Sequence, residues 1–160
     1  MKGYITTISM LAVLLMSGTK LVSAGDGPPS NDIFANAVPM VIENGTASVI
    51  TTNMEATKEP GEPNHAENSG GRSVWFKVTP VATTVLRINT TNNSFDTLLA
   101  VYTGDSVNNL TTVSFNDDCN NVCGFASTVD VMVTAGTTYY IAVDGYNDLG
   151  TPSAGTFKIA

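Results

Sequence analysis

Charge and catalytic chemistry are what this chain has little of. Only 13% of its 160 residues are charged, and seven Lys and Arg stand against fourteen Asp and Glu. With a net charge of -7 there is no basic surface to neutralise phosphates, which argues against a nucleic-acid partner. One histidine and two cysteines leave too few ligands for a closed His/Cys metal centre and little for a histidine relay. HExxH, P-loop and dinucleotide fingerprints are missing, and no nucleophile-elbow motif accompanies the lone His65. Long apolar runs are missing too: the longest, ISMLAVLLM at 8–16, is too short to span a bilayer.

That short run has another meaning. Lys2 supplies a positive start, the apolar stretch follows, and Val22-Ser23-Ala24 offers the small residues of a cleavage site. Residues 1–24 therefore read as a signal peptide and the protein as secreted. Removing Lys2 and Lys20 with it takes the net charge from -7 to -9. In an oxidising compartment Cys119 and Cys123 read as a structural disulfide stapling one loop, because Cys-x-x-x-Cys lacks thioredoxin spacing and no second ligand pair exists for a tetrahedral metal.

What the chain does have is a period of two. Runs rich in Val, Ile, Thr, Tyr and Phe recur at 47–51, 73–79, 84–89, 97–103, 111–115, 127–133, 138–143 and 156–159, between Gly, Asn, Asp and Pro clusters. Val129, Val131 and Val133 alternate with Asp130, Met132 and Thr134, the pattern of a half-buried strand, whereas 97–102 is apolar on both faces. About eight strands without helices to cover them must pack sheet on sheet, which predicts one all-β sandwich of jelly-roll or Greek-key type over 31–160. Residues 25–30 read as an exposed leader, and a short helical turn is expected within 33–41 behind an Asn31-Asp32 cap. The segment 58–72 (KEPGEPNHAENSGGR) reads as a long polar loop, a place where function concentrates.

Several blocks occur in a telling order. Asn31-Asp32-x-Phe34-x-Asn36-Ala37 is followed by Glu59-x-Gly61-Glu62-Pro63-x-His65-Ala66 and Gly70-Gly71-x-Ser73-Val74-Trp75-Phe76. Then come Ser94-Phe95-Asp96-Thr97-x-Leu99-Ala100-Val101-Tyr102, Asn116-Asp117-Asp118 and Tyr139-Tyr140-Ile141-Ala142-Val143-Asp144-Gly145. In that order the blocks resemble the bacterial pre-peptidase C-terminal domain, from Ser30 to the end. The resemblance implies a secreted jelly-roll module, usually non-catalytic and appended to extracellular hydrolases; similar domains in clostridial collagenases bind collagen and hold calcium. In those relatives calcium sits between an acidic N-terminal segment and aspartates before the Trp-Phe strand, a place that reads Gly70-Gly71-Arg72 here.

The residues themselves allow two functional readings. Asp26, Asn31, Asp32, Asp96, Asp117 and Asp118 are hard oxygen ligands in predicted loops, suited to calcium if the loops converge, and equally suited to capping turns. Tyr139 and Tyr140 point to opposite faces of one strand, so the outward one is a contact residue, with Glu59, Glu62 and His65 on the polar loop beside it. Trp75 is expected in the core and His65 at the surface. The expected function is a non-catalytic module that binds an extracellular protein or polysaccharide, alone or linked to a secreted hydrolase. A removable appendage for secretion and folding is the alternative, and a small hydrolase using Glu59, Glu62 or His65 the weaker one.

Overall fold

The computed structural model describes residues 20–21, 27–119 and 123–160. The signal-peptide segment lies outside these except for Lys20–Leu21 (β1), as do Gly25 and Asp26. Eight strands carry the fold: β3 (Val49–Thr52), β4 (Val74–Val78), β5 (Thr84–Thr91), β6 (Thr97–Gly104), β7 (Leu110–Asn116), β8 (Thr128–Val133), β9 (Tyr139–Gly145) and β12 (Thr156–Ile159). Each coincides with a run legible in the sequence. The number is larger than eight because two-residue strands were not foreseen: β1, β2 (Val38–Pro39), β10 (Asn147–Asp148) and β11 (Thr151–Pro152), too short to show a period.

The eight strands pair in a nested series, β3 with β12, β4 with β9, β5 with β8 and β6 with β7, all antiparallel. Such nesting is a long hairpin rolled on itself, and it yields two sheets, β1-β3-β12-β5-β8 and β2-β4-β9-β6-β7. The chain is thus an all-β sandwich with jelly-roll winding. Between the sheets lie Val49, Val74, Phe76, Val78, Ile88, Leu99, Val101, Val129, Val131, Val133, Tyr139, Ile141, Phe157 and Ile159, contributed at alternate positions.

A second apolar layer lies outside the β4-β9-β6 sheet. Trp75, Ala100, Tyr102 and Ala142 face away from the sandwich and are covered by Phe34 and Ala37, with Tyr140 beside them. This explains why the 97–102 run is apolar on both faces: all six residues from Thr97 to Tyr102 are buried. The covering comes from the N-terminal segment, whose helical turn is a single 3-10 turn at Phe34–Asn36, and from the loop between β3 and β4. Asn31 and Asp32 do not cap that turn. Asn31 Nδ2 donates to the Trp75 carbonyl at 2.9 Å while the Asn31 carbonyl accepts from Trp75 N–H, a two-way clamp onto β4. Asp32 accepts from Thr57 N–H at 2.6 Å and Thr57 Oγ1–H at 2.9 Å, tying the two covering segments together.

Candidate functional site

Under the covering loop the sequence expectation of a surface histidine is overturned. His65 is fully buried, stacked edge-on against Trp75 with ring centroids 5.4 Å apart and against Tyr102 at 5.7 Å. Its Nδ1 lies 2.8 Å from the Tyr102 hydroxyl and its Nε2 2.7 Å from Glu62 Oε1. Burial, then the nearby Glu62 and Asp144 carboxylates, push the Tyr102 phenol up, so its O–H is retained beside the ring. The Nε2–H donates to Glu62, so both ring nitrogens have a partner. Glu62 in turn accepts from Glu59 N–H at 2.8 Å, and the Glu59 carboxylate accepts from Phe34 N–H.

Asp144, fully buried on β9, holds the far end of the loop. Its carboxylate accepts from Gly71 N–H at 3.0 Å, Arg72 N–H at 2.7 Å and Gly145 N–H at 2.7 Å. Burial raises its carboxyl above the usual carboxylate range, opposed first by His65 and then by the three amide bonds. Gly70 has φ +52°, and a Cβ there would overlap this carboxylate, so the Gly70-Gly71 pair is needed for the loop backbone to close over Asp144. The expectation of Glu62 and His65 as contact residues on an exposed loop is therefore corrected, while Glu59 is half-buried. Hydrogen bonds from the Glu59 amide and to the Tyr102 hydroxyl, and the one between Glu62 and His65 themselves, hold inside two side chains that the sequence alone made polar and exposed.

The two tyrosines do point apart. Tyr139 is buried between the sheets and its hydroxyl accepts from Thr134 N–H at 2.9 Å, so it reaches no outside ligand. Tyr140 is half-buried, tilted on Phe34 at 4.3 Å, and keeps an accessible edge.

The predicted metal ligands separate into two groups. Asn31 and Asp32 are spent on the clamp and the Thr57 cap, and do not join the 117–118 loop. The calcium position implied by the collagenase-like relatives also does not fit, because the Gly71 and Arg72 amides there serve Asp144. Asp96, Asp117 and Asp118 do converge: each offers a carboxylate oxygen within 4.8 Å of the others. Asp96 sits in the turn before β6, and the 116–118 turn is held by Asn116 Nδ2–H to the Asp118 carbonyl at 2.9 Å and by Ser127 Oγ–H to the Asp117 carbonyl at 2.6 Å. Oδ1 of Asp96 and Oδ1 of Asp117 are buried and find no hydrogen-bond donor among the described residues. Burial, then Asp117 and Asp118, push the Asp96 carboxyl up to about 6, and burial with Asp118 raises Asp117. Three crowded carboxylates with two orphaned oxygens form an all-oxygen set able to hold a metal ion.

Beside this turn Cys119 and Cys123 are paired, their Cα atoms 5.9 Å apart, within the span a disulfide bridges. No helix among the described residues is long and apolar enough to cross a membrane. Compared with known protein families and with curated proteins the chain matches none, so its likeness to pre-peptidase C-terminal domains rests on the residue blocks alone.

Proposed function

We propose that the protein is a secreted, non-catalytic module of the pre-peptidase C-terminal kind that holds an extracellular protein or polysaccharide, free or joined to a secreted hydrolase. The observation that carries this reading is the asymmetry of the sandwich. One sheet has its outer face sealed by the 27–40 segment and the loop before β4, whereas the β3-β12-β5-β8 sheet carries no second layer among the described residues. Its outer face presents Ile50, Val85 and Met132, exposed at 39%, 53% and 66%, around the cross-strand Arg87–Asp130 pair. Apolar atoms framed by fixed polar ones are what an adhesive sheet face needs. Catalysis finds less support, because the lone histidine is sealed beneath the loop and its partners Glu62 and Tyr102 are committed to it.

Calcium belongs to the same reading, held by Asp96, Asp117 and Asp118 with carbonyls or water completing the shell. One experiment tests the proposal. Co-sedimentation with insoluble collagen, chitin, cellulose and cell-wall material, against an inert β-sandwich control, is expected to retain the protein on one matrix, and Met132→Asp to release it. Retention no better than the control on every matrix would leave the secretion or folding appendage as the account.

A further inference from the structure

An adjoining surface, which shares Val85 and Arg87 with that sheet face, carries a further inference. Where β2 runs past β4, a groove of about 680 Å³ opens between Pro39–Ile42 and the turn joining β4 to β5. A smaller hollow of about 270 Å³ continues it, the two sharing Met40, Ile42, Val78 and Leu86 as an apolar floor. Twelve large hydrophobic residues are exposed in the described chain, and four of them, Val41, Ile42, Val81 and Val85, stand around this one groove. Val81 is 99% exposed and Val41 68%. Scattered apolar residues need no explanation, but a third of them gathered at one concavity do.

Charge at the groove runs against the composition of the protein. The chain has twice as many acidic as basic residues, yet neither hollow is lined by a carboxylate side chain. The cations are Lys77 and Arg87. Arg87 is committed to Asp130 by two bonds of 2.8 Å, and the salt bridges among the described residues include none to Lys77. Lys77 and Tyr140 are cross-strand partners on the outer face of β4 and β9, the face opposite that of Val78, and both line the groove where it turns round the β4 edge. One free cation beside an apolar floor complements one anion on an apolar chain.

We infer that this groove binds a single-chain amphipathic carboxylate of the fatty-acid kind, its alkyl chain on the Met40–Val78–Leu86 floor and its carboxylate against Lys77. The ligand is monomeric, and the groove meets the outer sheet face only at Val85 and Arg87, whereas Lys77 and Val81 lie off that face, so polymer retention and this binding can succeed or fail separately.

The test is titration calorimetry on the full chain with decanoate kept below its micelle concentration, beside methyl decanoate and decyltrimethylammonium. Decanoate is expected to bind, with the ester and the cation about tenfold weaker, the scale of one charge-assisted contact. Lys77→Gln is expected to lower decanoate affinity to that of the ester. Val81→Asp, at a side chain that touches little, is expected to weaken decanoate by placing a like charge at the rim without disturbing the fold. Equal affinity for decanoate and its ester, no decanoate binding, or indifference to both substitutions would overturn the inference.

Discussion

Replacing His65 by alanine distinguishes a surface histidine from a structural one. At an exposed loop position the change would stay within about 0.5 kcal/mol. Here it deletes a fully buried ring and both of its hydrogen bonds. Glu62 Oε1 and the Tyr102 hydroxyl would each be left buried without a partner, costing about 1–3 kcal/mol apiece. The vacated space against Trp75 adds about 1 kcal/mol of lost packing. Water entering the space would offset part of this, so the expected loss is about 3–5 kcal/mol, a large share of the roughly 5–15 kcal/mol that keeps a domain folded. Trp75 is the chain's one tryptophan and touches the deleted ring, so urea unfolding followed by its fluorescence reads the effect directly. His65→Gln, which keeps a donor and an acceptor in the space, should recover part of the loss. A midpoint shift equivalent to less than about 1 kcal/mol for His65→Ala would refute the sealed-loop account.

Three further outcomes are expected. Because Asp96 has its carboxyl raised to about 6, the native state holds its proton where the unfolded chain has released it; stability from this group is present below about pH 4 and is lost as pH rises through 6. Calcium should therefore raise the melting temperature more at pH 7 than at pH 5, and Asp96→Asn should abolish the response; a calorimetric scan with calcium and with chelator checks both. Gly70→Ala should cost more than about 2 kcal/mol, combining a left-handed φ with the Asp144 overlap, whereas Gly45→Ala, at φ +81° with open space around it, should cost about 1 kcal/mol; chemical denaturation of the pair separates the clash from the backbone term. Free-thiol labelling of the unreduced protein should find Cys119 and Cys123 blocked, and replacing both with serine should cost about 2 kcal/mol at most, since the loop they close is small.

Strand positions were legible because a pleated, half-buried strand writes a period of two into the chain, as Val129, Val131 and Val133 do. The Leu98-to-Tyr102 run also announced two buried faces. What it could not announce was the identity of the second cover, since 58–72 has no period and its burial is decided by partners far along the chain. Glu62 and His65 look solvent-seeking one residue at a time, and only the pairing with Tyr102 makes them interior. One signal was available: a loop closing over a two-sided apolar strand must bring its own polar atoms inward, and Glu62-x-x-His65 is spaced to satisfy them locally. The acidic ligands divided for a similar reason. Asp96 and Asp117 flank strands β6 and β7, which pair as a hairpin and bring their ends together, while Asn31 precedes a segment laid against β4.

The covering loop also bears on where function can reside. A jelly roll normally leaves both outer sheet faces to solvent, and either can serve as a contact surface. In this chain one is sealed by a polar network that joins His65 to Glu62 and Tyr102, Glu62 to the Glu59 amide, and Asp144 to three amides, over a Trp75 whose indole N–H finds no partner among the described residues. Breaking any one member leaves a buried charge or dipole, so the seal is held as a unit and opens at a cost of several bonds together. A face closed in this way is unavailable to a large ligand, so the proposed polymer contact falls to the opposite sheet and the proposed small-molecule contact to the groove where β2 leaves the β4 edge. The Trp75-Phe76 block thereby serves both layers at once, Phe76 in the sandwich core and Trp75 beneath the seal, which is the physical reason a Trp-Phe pair stands at that place in the strand.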